Sequence, residues 1–167
     1  KYGIKIHNVV IFRSPFDLRN IRAYIQLKRI IKTERIDVIH CNTPIGGILG
    51  RILSKHTALD IVLYMVHGFH FYQGGSRLKN LIFKSIEKLL AKNTDALITI
   101  NRDDYLAAKT FKFRNSGKAY YLPGVGIDIN EIKNIQNSSK NDVDIVKVNG
   151  VTNLISVGEL NKNKNNI

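Results

Sequence analysis

Imidazoles and a phenol crowd the segment His67-Gly68-Phe69-His70-Phe71-Tyr72. These groups donate and accept hydrogen bonds near neutral pH, and the rings of Phe69 and Phe71 add flat apolar surface beside them. Polar and flat apolar groups together suit a sugar ring. Gly68 allows the backbone to turn or to approach a ligand closely. The run before it, from Ile61 to Val66, is apolar and rich in β-branched residues, which reads as a buried strand. His67 then stands at the C-terminal mouth of a strand, where α/β sheets carry their chemistry.

Other candidates reduce to structure. Gly46, Gly47 and Gly50 follow a strand and open a helix, but the spacing departs from a dinucleotide loop, and Asp60 is badly located for a ribose partner. The glycines are expected to permit close helix-to-sheet packing, with the helix N-terminus still able to face an anion. Gly124 and Gly126 fit a turn, and Asp128 fits the cap of a following short helix. His40 lies inside a strand and is expected to be a satisfied core residue; His7 and His56 carry no signal. No Cys/His cluster has metal-ligand spacing, and no nucleophile elbow is visible.

With 167 residues the chain can bury a full core, with room for part of a second domain. The single Cys41 cannot pair within the chain, which fits a reducing compartment. No stretch approaches the ~18 apolar residues needed to span a bilayer, and the N-terminus does not resemble a signal peptide. The expected location is therefore cytoplasmic. The chain opens on Lys1 and its one Met is Met65, so a fragment is expected. A net charge of +13 favours contact with anions: nucleic acid, anionic lipid or phosphorylated small molecules. An AT-rich genome would also enrich Lys, Asn and Ile, so charge alone does not choose among them.

The elements that must hold the His67 segment alternate along the chain. Ile4 to Phe12 is a β-branched, strand-like run, and Ile21, Ile25, Leu27, Ile30 and Ile31 follow at helical spacing. Asp37 to Cys41 predicts a strand, and Ile45, Ile48, Leu49, Ile52 and Leu53 a helix with Pro44 in its first turn. Arg77 to Lys92 predicts a helix, Ala96 to Ile100 a strand, Asn101 with Asp103 and Asp104 a helix cap, and Ala119 to Leu122 a short strand. Strand and helix in alternation imply an α/β fold, a Rossmann-like, doubly wound, mostly parallel sheet. Residues 1–133 form that domain, 134–152 read as an Asn/Ser/Lys-rich linker, and 153–167 as the start of a second domain.

The helix from Arg77 to Lys92 has two readings. Lys79, Lys84, Lys88 and Lys92 beside the stripe of Leu78, Leu81, Ile82, Ile86, Leu89 and Leu90 suit an anionic lipid surface. Ordinary core packing explains the stripe as well.

In order along the chain stand Asp37-Val38-Ile39-His40-Cys41-Asn42-Thr43-Pro44-Ile45-Gly46-Gly47, Val66-His67-Gly68-Phe69-His70, Thr94-Asp95-Ala96-Leu97-Ile98-Thr99-Ile100-Asn101, and Leu122-Pro123-Gly124-Val125-Gly126-Ile127-Asp128. This series resembles the N-terminal half of glycosyltransferase family 4, in particular bacterial capsular and exopolysaccharide enzymes. Ile155 to Lys164 is similar to the opening strand and loop of that family's C-terminal domain, with Glu159 where many members carry Arg.

The resemblance implies a GT-B fold of two Rossmann-like domains, the N-terminal one holding the acceptor and the C-terminal one a nucleotide sugar. It implies a retaining transfer without a metal or other cofactor, and an acceptor that is a saccharide or a polyprenyl-linked saccharide. It also implies His67 at the reaction centre, orienting a sugar hydroxyl, with Gly68, Phe69, His70, Tyr72, Asn42, Pro44, Gly46, Asn101 and Lys164 binding donor or acceptor. Against the pattern, the chain lacks the family's first N-terminal strand and nearly all of its C-terminal domain, so the fragment alone is expected to be inactive. The enzyme would be cytoplasmic, peripheral on the inner membrane face. The alternative is a non-catalytic basic module for nucleic acid, which needs exposed aromatics interleaved with basic residues. Here the aromatics cluster at a strand mouth, so no nucleic-acid partner is expected.

Overall fold

The computed structural model describes residues 4–124, 126, 128–130 and 134. The chain divides into two units, Lys1–Gly126 and Ile127–Ile167. The first carries α1 (Asn20–Thr33), β1 (Val38–Cys41), α2 (Pro44–Leu53), β2 (Ile61–Val66), α3 (Arg77–Ala91), β3 (Ala96–Thr99), α4 (Arg102–Ala108) and β4 (Lys118–Tyr121). Of the second, Asp128 accepts a hydrogen bond from the Asn130 backbone N–H at 2.8 Å, in line with its expected capping role. The expected linker at 134–152 (apart from 134) and the expected start of a second domain at 153–167 lie outside the described residues.

The strands form one sheet in the order β1-β2-β3-β4, every pairing parallel. Cys41 lies opposite Tyr64, Val66 opposite Thr99, and Thr99 opposite Tyr121. This is the Rossmann-like α/β arrangement expected from the alternation, with each crossover supplied by a helix. All four strands therefore end at a common edge.

The core lies on the face of the sheet that carries Ile39, Val62, Tyr64, Val66 and Leu97. Tyr64, Val66 and Leu97 pack with Phe69, Phe71, Ala91, Ala108 and Phe111, and Val62 packs with Ile31, Leu53 and Leu59. Gly47 and Gly50 let α2 lie flat on the sheet. A Cβ at Gly47 would sit 2.3 Å from the Tyr64 ring, and one at Gly50 would sit 2.3 Å from Cys41 Sγ. Under this contact the Arg51 side chain is fully buried. Its Nε donates to the Gly47 carbonyl at 2.9 Å, its other nitrogens donate to the Glu87 carboxylate at 2.7 and 3.3 Å, and its guanidinium stacks 4.0 Å from the Tyr64 ring centre. These contacts join α2, α3 and β2.

The N-terminal stretch corrects the sequence expectation. Residues 4–12 are not a strand; Ile4, Ile6 and Val10 are exposed, and the sheet ends at β1 among the described residues. β-branched residues favour strands because they fit a half-buried pleated surface, and without a ladder partner that preference has nothing to act on. The stretch is held instead by side chains. Asn20 accepts from the Phe12 N–H and donates to the Phe12 and Ser14 carbonyls, and Arg19 stacks on the Phe12 ring at 3.6 Å. In α1 the inward residues are Ala23, Tyr24, Leu27 and Ile31, whereas Ile21 and Ile25 face solvent.

Candidate functional site

His67 follows Val66 directly, at the C-terminal end of β2. Its side chain is exposed and makes no hydrogen bond or ion pair with any described residue. This imidazole is open to solvent and so accessible to a ligand. The backbone beneath it is fixed. Gly68 adopts φ +131°, a left-handed conformation that strains any residue with a Cβ, although a Cβ there would meet nothing within 4 Å. The next N–H, of Phe69, donates to Asp104 Oδ2 at 3.1 Å.

Asp104 is buried and belongs to a closed polar set. Asn101 Oδ1 accepts from the Asp104 N–H at 2.8 Å, and Asn101 Nδ2 donates to Asp104 Oδ2 at 2.7 Å. Asn101, expected at the binding surface, thus commits both atoms of its amide to capping α4 and orienting Asp104. The carboxylate carries that order across to the His67 loop. The sequence marks Asp104 as a helix-cap partner, but its bond to Phe69, 35 residues away, arises only in the folded chain.

The aromatic loop differs from expectation. Phe69 and Phe71 are buried, stacked on each other with centroids 4.6 Å apart, and Phe69 packs on Phe111 at 6.0 Å. Burying two benzyl groups gains more than leaving them as a platform, so their faces are not offered to a sugar. His70 is exposed and lies against Phe83 of α3, centroids 5.3 Å apart. Tyr72 is exposed, while its backbone is latched by Asn80, which accepts from the Tyr72 N–H at 3.3 Å and donates to its carbonyl at 2.7 Å. His67, His70 and Tyr72 are thus the ligand-accessible side chains of the segment.

Asn42, Thr43, Pro44 and Gly46 stand at the end of β1. The Thr43 hydroxyl caps α2 by accepting from the Gly46 N–H at 3.2 Å, and Pro44 at the first position has no N–H. Ile45 is left as the first-turn donor not engaged in this way, which narrows the expected anion site. Asn42, Thr43 and Gly46 line one end of a cleft of about 440 Å³ along the outer edge of β1. Its remaining walls are mainly apolar, including Leu27, Ile31, Ile39 and Leu53, and His67 is not among its lining residues. The expected residues therefore divide between this cleft and the β2 mouth.

His40 is a further correction. Among the described residues β1 is an edge strand with alternating exposure, and His40 falls with Val38 on its exposed side rather than in the core. Cys41 packs against α2, and burial pushes its thiol above the ordinary value despite the opposing charge of Arg51. It is not primed as a thiolate nucleophile. Among the described residues no group of three His, Cys, Asp or Glu could hold a metal ion. Among them also, no helix is long and apolar enough to cross a membrane. Lys164 lies outside the described residues.

Fold and site together define a Rossmann-like domain whose exposed polar groups gather at the C-terminal edge of a parallel sheet. Comparison with known proteins makes this more specific. A profile described as glycosyl transferase 4-like matches residues 1–101, and the chain belongs to that family. It is similar to the putative glycosyltransferase EpsD of Bacillus subtilis (strain 168), 41% identical over 72% of this chain and 32% of that protein. It is also similar to an Escherichia coli UDP-Gal:alpha-D-GlcNAc-diphosphoundecaprenol alpha-1,3-galactosyltransferase, 31% identical over 52% of this chain and 22% of that protein. An uncharacterized 41.2 kDa protein from the cps region of Klebsiella pneumoniae is 26% identical over 84% of this chain and 40% of that protein. The chain thus spans between about a fifth and two-fifths of the length of these relatives.

Proposed function

We propose that this chain is the acceptor-side part of a retaining GT-B glycosyltransferase of cell-surface polysaccharide synthesis. The sugar moves from a nucleotide-sugar donor to a saccharide on a polyprenyl diphosphate, at the cytoplasmic face of the inner membrane. The acceptor hydroxyl oxygen bonds to the anomeric carbon, the bond from that carbon to the diphosphate breaks, and the hydroxyl proton passes to the departing diphosphate oxygen. His67 orients a hydroxyl of the transferred sugar through its neutral imidazole, which adds no charge to the reacting centre. Catalysis comes from positioning and from stabilising charge on the departing diphosphate, without a metal. Lys164 is proposed to contact that diphosphate.

The observation that carries this reading is the exposed, unengaged imidazole of His67 on a loop pinned by Asp104, in a chain of this family. The identity with EpsD supports sugar transfer, and the activity named for the E. coli relative supports the choice of substrates. The test is transfer of radiolabel from a panel of nucleotide sugars to undecaprenyl-diphosphate-linked saccharides by the complete gene product, with and without chelator. Chelator-resistant transfer that His67→Ala lowers by about 10²-fold is expected. Absence of transfer from every donor, or full activity in His67→Ala, would overturn the reading.

A further inference from the structure

α3 turns most of its apolar side away from the protein. Only Leu90 and Ala91 of the helix are buried, with Asn80, Phe83, Lys84 and Glu87 half-buried. Leu78 is 68% exposed, Leu81 65%, Ile82 49%, Ile86 39% and Leu89 60%. At about 3.6 residues per turn these five side chains share one outward arc, with the small polar Ser85 among them. Exposed apolar residues scattered singly are ordinary, but a contiguous stripe marks a surface that something covers.

The charges beside the stripe identify what covers it. Arg77, Lys84 and Lys88 border one side of the arc, Lys79 the other, and Lys92 closes its C-terminal end. None of them pairs with an acid among the described residues. The helix's one carboxylate, Glu87, is turned inward and bound to Arg51. A second copy would bring the same basic border against itself, at a net charge of +13 per chain, which opposes self-association. An anionic bilayer answers both features, because leucine and isoleucine enter the acyl boundary while the cations reach the headgroups.

We propose that α3 is an interfacial helix that docks this domain on an anionic lipid bilayer. The proposal gives the membrane contact of the sugar-transfer reading a specific element, but its own evidence does not depend on the acceptor. The docking helix is also tied to the site. Asn80 holds the Tyr72 backbone and Phe83 lies beside His70, so the loop after His67 sits on the same element that meets the lipid.

The test is co-sedimentation of the chain with phosphatidylcholine vesicles, with or without about one-third phosphatidylglycerol, in the absence of donor and acceptor. Binding to the anionic vesicles is expected, about tenfold or more weaker without phosphatidylglycerol, and reduced by salt. The triple variant Leu78→Gln, Leu81→Gln, Leu89→Gln should keep its circular dichroism and melting temperature, because those side chains are exposed, yet lose binding by about tenfold or more. Binding that ignores lipid charge, or survives in the triple variant, overturns the proposal. So does lipid-free self-association that the triple variant abolishes, which assigns the stripe to a second copy. Binding by the chain but not by the complete gene product assigns it to the rest of the polypeptide. An enzyme inactive towards every acceptor that still binds vesicles through α3 would overturn the sugar-transfer reading and leave this one standing.

Discussion

His67, Asp104 and Tyr64 show how differently the fold treats polar side chains in one small region. His67 is left to solvent, so His67→Ala should leave the melting temperature unchanged while lowering turnover of the complete enzyme, and thermal unfolding beside an activity assay checks both. Asp104 acts through the loop. Asp104→Ala removes the acceptor for the Phe69 N–H and for Asn101, which should cost about 1–3 kcal/mol of stability by denaturant titration. Turnover should fall as well, and Asp104→Asn should restore part of it. Tyr64 is buried, and desolvation, helped by the nearby Glu87 charge, pushes its phenol well above the ordinary value near 10. A raised phenol favours the neutral folded state, so its contribution is fully present below the unfolded value and is lost as pH rises through the folded one. Absorbance titration at alkaline pH should therefore show a tyrosine that ionises only on unfolding, and Tyr64→Phe should remove it.

At the scale of elements, close contacts between helix and sheet decide which substitutions fail. Gly47→Ala would drive a methyl group into the Tyr64 ring, an overpacking expected to cost about 1–3 kcal/mol. Gly68→Ala meets no atom but forces a Cβ into φ +131°, with a similar cost from strain. The two are separable by activity. Gly68→Ala should lower turnover more than its stability loss explains, because it redirects the residue next to His67, whereas Gly47→Ala should lower thermal stability with normal turnover per folded molecule. Arg51→Ala would leave Glu87 half-buried without its partner, and a loss of about 3–5 kcal/mol is expected in chemical denaturation. Glu87→Gln in that background should recover part of it.

At the scale of the molecule, the sheet of the described residues ends at β1 beside an apolar cleft, and the chain spans about a third of EpsD. In the proposed function, the diphosphate contacts that drive departure of the leaving group come from a second, nucleotide-binding half of the enzyme. The chain alone should therefore transfer no sugar from any nucleotide donor, as judged by product chromatography. Turnover by the chain itself would overturn the proposed division between acceptor and donor sides.

The sequence by itself determined the alternation of elements, the parallel sheet, Pro44 in the first turn of α2, the cap at Asn101, and the position of His67 at a strand mouth. Each of these rests on local rules: apolar periodicity, proline and glycine punctuation, and side chains bonding to their own helix ends. Tertiary structure decided the rest. Among the described residues, 4–12 carry strand propensity without a strand partner, and His40 reads as core until β1 proves to be an edge there. Phe69 and Phe71 look like a sugar platform until Phe111, far along the chain, draws them under. The apolar stripe of α3 has the same period whether it is buried or turned outward, and only the folded chain shows that it is turned outward. Burial and long-range hydrogen bonds depend on residues distant in sequence, so no local pattern can encode them.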